Sequence, residues 1–238
     1  MFPMAIMLPC HTMKLQDVRI VAFDNDGTLY PSGEEIGKIV LAAHREYVAQ
    51  KGLDLETPGH EWVKAMIGQD AKHFYPAMMP GQPPEVVADF EAFCLECETT
   101  AVFDNPGLYA GAHEVLAQLK DAGKILVLVT NGGTRYVKSV WDAAGYGRYF
   151  SASYPFEPPD YLTKGERLSL AIAEWGELPA VMIGDRESDK TAAAYAGAAF
   201  IGCRYGYGAE HELDGAHAVI DTLAELPGLL LPAGVRIE

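Results

Sequence analysis

The chain has 238 residues, 49% of them hydrophobic and 21% charged, a balance that excludes a disordered chain and calls for a sizeable buried core. Its 33 acidic against 18 basic residues give a formal charge of −15, which argues against nucleic-acid and anionic-membrane partners. A small phosphorylated substrate stays compatible with that charge, because local site charges can override a global sign.

In chain order, residues 1–13 read as a flexible tail, since the apolar start has no basic leader and Met4, Met7 and Met13 could each begin the protein. No segment offers the uninterrupted apolar length of a membrane span, and four cysteines do not form a disulfide framework, so a cytoplasmic protein is expected. The run Val18–Phe23 predicts a first strand, ending at Asp24. From Glu34 to Gly107 only helical patterns follow: Ile36, Ile39, Val40, Ala43 and Tyr47 share one face of a helix closed by Gly52, a second helix surrounds Trp62 and Met66, and a third runs from Pro84 through Phe90 and Phe93. So long a stretch cannot be a structureless loop. It reads as a helical insertion, residues 34–107, in a core made of 14–33 and 108–238. Further strands are expected at Lys124–Val129, Ala180–Ile183, Ala198–Gly202 and Ala216–Ile220, with helices over 111–122, 134–144 and 165–175, each followed by a glycine suited to a left-handed C-cap. Near-continuous apolar strands alternating with helices predict a doubly wound α/β layer around a mostly parallel sheet.

Ligands of such sheets bind beyond the carboxyl ends of the strands. Three strands end there in polar residues: Asp24-Asn25-Asp26-Gly27-Thr28, Thr130-Asn131-Gly132, and Gly184-Asp185-Arg186-Glu187-Ser188-Asp189. Asp24 and Asp26, two apart in extended chain, project to one side. Four carboxylates brought together (Asp24, Asp26, Asp185, Asp189) need a cation or protons between them, and crowded hard oxygens favour Mg²⁺. Other residues read as structural: Cys94-Leu95-Glu96-Cys97 as core cysteines, Trp62, Phe90 and Phe93 as core aromatics, Lys124 and Lys138 as solvated, and the seven histidines, which lack a zinc spacing, as surface or capping residues. The stretch Ile67–Tyr75 reads either as a loop closing over the site or as a plain interhelical connection.

These motifs resemble those of the haloacid-dehalogenase-like hydrolase superfamily. FDNDGT (Phe23–Thr28) is similar to its first motif, Thr130 with Asn131-Gly132 to its second, Lys164 to its third and GDRESD (Gly184–Asp189) to its fourth. The helical insertion and the segment Gly184–Gly208 resemble the capped subgroup containing phosphoglycolate phosphatases. The resemblance implies a Mg²⁺-dependent phosphomonoester hydrolase acting on a small phosphorylated metabolite, as a monomer or homodimer. It implies Asp24 as nucleophile, Asp26 as acid and base, and Thr130, Asn131 and Lys164 as phosphate-binding groups. Mg²⁺ would be held by Asp24, the Asp26 carbonyl and Asp185, with Asp189 placed behind those ligands. Asn25 stands where the family usually carries an apolar residue and is expected to point away from the aspartates. A dehalogenase is disfavoured because those relatives lack the second aspartate. A phosphoglucomutase-like transferase, and a phosphonate hydrolase using Lys38, Lys51, Lys64 or Lys72, are the alternatives; a catalytically silent scaffold is disfavoured by retention of every motif.

Overall fold

A computed structural model describes residues 14–69, 71–102, 107–156, 162–176 and 179–232; the expected tail, 1–13, lies outside them. Strand β1 (Ile20–Phe23) occupies the middle of a six-stranded, wholly parallel sheet, flanked by β2 (Ile125–Gly133) and β4 (Ala180–Gly184). The order is β3-β2-β1-β4-β5-β6, with β3 at Ala152–Phe156, β5 at Ala199–Cys203 and β6 at Ala218–Ile220. This is a doubly wound, Rossmann-like sheet, and its strand order reverses between β1 and β4.

Side chains of β1 alternate between faces, as the pleat requires. Val21 and Phe23 join a core shared with α5 (Ala112–Asp121), α6 (Thr134–Ala144) and α9 (Leu226–Leu230), while Ile20 and Ala22 pack under α7 (Lys164–Trp175) and α8 (Glu187–Ala196). Both faces are thus covered, which explains strands that read as unbroken apolar runs. Phe23 pairs with Leu128 of β2 and Ile183 of β4, so the polar residues after each run emerge at one edge.

Between β1 and α5 stand α1 (Ser32–Lys51), α2 (His60–Met66), α3 (Ala71–Met78) and α4 (Pro84–Val102). They pack on one another around Phe90, whose ring meets His44 edge-on at 5.6 Å and Tyr47 at 5.3 Å.

The structure corrects several sequence expectations. His44 is fully buried rather than superficial, with Nε2 3.1 Å from the Met78 carbonyl oxygen. Trp62 is 40% exposed rather than core. Lys124 is not merely solvated: its ammonium donates to the carbonyls of Val18 (2.6 Å) and Gln16 (2.9 Å), at the sheet end opposite the polar edge. Strand β3 had no sequence counterpart. It is a half-exposed edge strand interrupted by Pro155, tolerable only where no neighbour needs that N–H. Gly52 and Gly145 take the left-handed cap conformation, but Gly176, at φ 144° and ψ −143°, does not.

Candidate active site

The turn after β1 is tied by the Asn25 carbonyl, which accepts the N–H groups of Thr28 (3.2 Å), Leu29 (2.8 Å) and Tyr30 (2.9 Å). The Asp24 N–H donates to Ile183 O of β4 at 2.9 Å, locking the turn to the point where strand order reverses. Asp24 is buried, and its Oδ1 lies 2.8 Å from Nζ of Lys164, the first residue of α7. Thr163 caps that helix reciprocally with Glu166, fixing where the lysine enters. The same ammonium lies 2.5 Å from Oδ1 of Asp189. Asp189 also anchors its own helix, since its Oδ2 accepts the Arg186 N–H at 3.0 Å.

Asp185, immediately beyond β4, completes a trio with Asp24 and Asp189 whose carboxylate oxygens lie within 4.8 Å of one another. Its Oδ1 accepts from Thr28 Oγ1 at 3.3 Å and its Oδ2 from the Tyr207 N–H at 2.6 Å. Side chains at Gly27, Gly206 and Gly208 would overlap Asp185, so glycine is required at each for the loops to close around it. Burial, then the charges of Asp189 and Asp24, push Asp185 up to about 8. Burial also raises Asp189, against the opposing pull of Lys164. Lys164 itself is raised: burial lowers it, but Asp189 and Asp24 outweigh that. One ammonium thus pairs with two of three clustered buried carboxylates, and the all-oxygen donor set suits a hard divalent cation.

The Asp26 carboxylate stands apart from this trio. Its Oδ1 accepts from the hydroxyl of Tyr136, in the first turn of α6, at 2.5 Å. Burial raises the Asp26 pKa more than the tyrosine bond lowers it, and Asp24 raises it further. Asn25 is engaged elsewhere, its Oδ1 accepting from the buried Tyr146 hydroxyl at 3.1 Å.

Thr130 is buried, its Oγ1 accepting the Gly132 N–H at 3.2 Å. Asn131 bridges two parts of the chain: its Nδ2 donates to Gly68 O at 3.1 Å, and its Oδ1 accepts from Arg167 Nη2 at 2.7 Å. Arg167 also donates to the carbonyls of Thr130 and Tyr154. It braces the whole second motif from one turn behind Lys164.

A cavity of about 380 Å³ opens beside Asp26, between the β2–α6 connection and helices α1, α3 and α4. Ile67, Gly68, Gln69, Ala71, Phe74 and Tyr75 line it, so the described part of the Ile67–Tyr75 stretch covers the site. Arg186 fastens that cover: Nη2 donates to Ala65 O in α2 at 2.7 Å and Nη1 to Tyr207 O at 3.1 Å. None of Lys38, Lys51, Lys64 and Lys72, which a phosphonate hydrolase would use, is among the described residues lining the cavity.

Sequence reasoning singled out Asp24, Asp26, Thr130, Asn131, Lys164, Asp185 and Asp189 as candidates, and the fold brings them all to one sheet edge. It missed Tyr136, Arg167 and the Glu98 carboxyl that lines the cavity. Their only visible signal was an ionisable or phenolic side chain on an otherwise buried helix face. Two tyrosines beyond β5 also anchor the site: Tyr205 donates to Thr28 O at 2.8 Å and Tyr207 accepts from the Gly33 N–H at 2.5 Å. Among the described residues, no helix is long and apolar enough to cross a membrane.

Residues 18–197 match the model of the haloacid dehalogenase-like hydrolases. A phosphoglycolate phosphatase from Pseudomonas fluorescens is 32% identical over 90% of this chain and 81% of its own, and one from Caulobacter vibrioides is 30% identical over 87% and 88%. Among solved structures, a predicted phosphatase from Clostridium acetobutylicum superposes with a TM-score of 0.74 at 26% identity, covering 88% of this chain and 96% of that one.

Proposed function

The chain belongs to the haloacid dehalogenase-like hydrolase family, and from that premise we propose that it hydrolyses small phosphorylated metabolites with Mg²⁺, through an aspartyl-phosphate on Asp24. As a phosphatase of this family, it acts on phosphoric monoesters. The observation that carries the mechanistic reading is Lys164 Nζ set between Asp24 and Asp189 at 2.8 and 2.5 Å, beside the carboxylate of Asp185.

In this reading Asp24 attacks phosphorus, displacing the alcohol, and the acyl-phosphate is then hydrolysed. Asp26, whose raised pKa favours the protonated form, gives its proton to the departing oxygen and recovers one from the attacking water. Tyr136 fixes the orientation of that carboxyl. Lys164 neutralises charge on Asp24 and on the phosphoryl oxygens, and Asp189 holds the ammonium in place. Thr130 offers its hydroxyl and Asn131 its backbone N–H to the same oxygens, with Arg167 keeping both residues in position. Asp24, Asp185 and the Asp26 carbonyl would hold Mg²⁺, which supplies a counter-charge allowing an anionic ester to approach an anionic nucleophile. Residues 34–107 serve as a helical cap over a core formed by 14–33 and 108–238.

The test is Asp24→Asn assayed with p-nitrophenyl phosphate and Mg²⁺. The substitution should lower turnover by about three orders of magnitude or more. Release of phosphate at near wild-type rate would remove Asp24 from the nucleophile's role.

A further inference from the structure

The cavity beside Asp26 is where the alcohol half of a substrate would sit, and its charge is one-sided. Helix α4 turns Glu91, Leu95 and Glu98 toward it, a seven-residue span that returns to the same helix face. Glu98 is only 7% exposed, with Oε1 3.3 Å from the Cys94 thiol that donates to it. Burial raises its pKa, and the charge of Asp26, which lines the same cavity, adds to that rise. Three acidic side chains, Asp26, Glu91 and Glu98, thus border one small space.

The neighbouring cations already have partners. Arg135, the basic residue among the described lining, is 63% exposed at its side chain and lies 2.9 Å from Glu96. Lys72 sits over the ring of Phe156, 5.6 Å from its centroid. Lys164 is held by Asp24 and Asp189, Arg167 by Thr130, Tyr154 and Asn131, and Arg186 by Ala65 and Tyr207. An acid group on the leaving alcohol would therefore enter a partly dry space bordered by carboxyls, with its pairing charge still to be found. Buried anions persist only when paired. The remaining walls, Ile36, Phe74, Tyr75 and Phe156, with Gln69 and the Tyr136 hydroxyl, suit a compact alcohol bearing hydroxyl or amino groups.

We propose that the leaving alcohol of the natural substrate carries no carboxylate or second phosphate, so that neutral polyol and amino-alcohol phosphates are preferred over phosphorylated hydroxy acids. Selection here works by repulsion: Glu91, and Glu98 once the pH has risen enough to ionise it, reject an anionic leaving group. The inference deepens the phosphatase reading above and rests on Asp26 marking the leaving-group side.

The experiment compares kcat/KM for glycerol 3-phosphate, phosphoethanolamine and 2-phosphoglycolate, with Mg²⁺ and with p-nitrophenyl phosphate as reference. The first two should exceed 2-phosphoglycolate by tenfold or more. Glu98→Gln should narrow that ratio severalfold, and Glu91→Gln, a half-buried position, gives the same readout if the first variant folds poorly. Preference for 2-phosphoglycolate by the native enzyme, or a ratio unmoved by both variants, overturns the proposal while leaving the phosphatase reading intact. Absence of p-nitrophenyl phosphate turnover overturns that reading, and the proposal falls with it.

Discussion

The hydrogen bond from Tyr136 is the main side-chain constraint on Asp26: its hydroxyl, 2.5 Å from Oδ1, holds one oxygen of the carboxyl, with Ser32 and Asn25 acting more weakly on the same group. Tyr136→Phe keeps the ring but removes that constraint. It should slow hydrolysis of an alkyl phosphate about tenfold and that of p-nitrophenyl phosphate much less, because nitrophenolate departs without a proton. Equal losses on both esters would assign Tyr136 a purely structural role. Glu98 makes a second prediction. Burial, before any charge effect, raises it to about 7 from 4.5, so the folded state holds a proton that the unfolded chain releases. Its contribution to stability is greatest below about 4.5 and declines as pH rises toward 7. Glu98→Gln should flatten that decline, stabilising the protein at pH 8 relative to pH 5 by on the order of 1–3 kcal/mol, read from chemical denaturation at the two pH values. The aspartates were legible because each ends an apolar run and the spacing is short. Tyr136 was not, since the partner that gives it meaning is 110 residues away.

Elements were legible in proportion to how completely their residues are buried. Strands β1, β2, β4 and β5 are covered on both faces and appear as apolar runs; β3, open at the edge and broken by Pro155, carries no such signature. The same reasoning explains α3. Its buried residues Phe74, Tyr75 and Met78 lie within eight positions, too short a span to establish a helical period. The join between α2 and the core was invisible in the sequence because a backbone carbonyl, Ala65 O, accepts from Arg186. Arg186→Met should loosen this join. Amide exchange over residues 60–69 and 71–78 should quicken and KM should rise severalfold, with little change in exchange through β1 and β4. Unchanged protection in α2 and α3 would show that the apolar contacts alone hold them down.

At the scale of the whole molecule, the charge of −15 has two meanings. Most of the described acids are solvated, but Asp24, Asp185 and Asp189 are buried within 4.8 Å of one another, where the single ammonium of Lys164 leaves part of their repulsion uncompensated. Mg²⁺ that binds only the folded chain should therefore raise Tm. The gain is about 2.7 kcal/mol at a hundredfold excess over Kd, roughly 5–10 °C for a chain of this size. Asp185→Asn should remove most of that increment in a thermal melt, whatever it does to Tm without metal. Net charge alone argued against polyanionic partners and left a small phosphorylated substrate merely compatible, whereas the trio of carboxylates, two of them paired with Lys164, makes a donor set suited to a cation. In the proposed mechanism the phosphoryl group passes through Asp24. Enzyme turning over p-nitrophenyl phosphate with Mg²⁺, acid-quenched and reduced with borohydride, tests it by peptide mass spectrometry. The acyl-phosphate should be reduced to an alcohol at Asp24 and at no other carboxylate; reduction confined to another residue, or none during sustained turnover with a positive control for trapping, would remove Asp24 from the phosphoryl path.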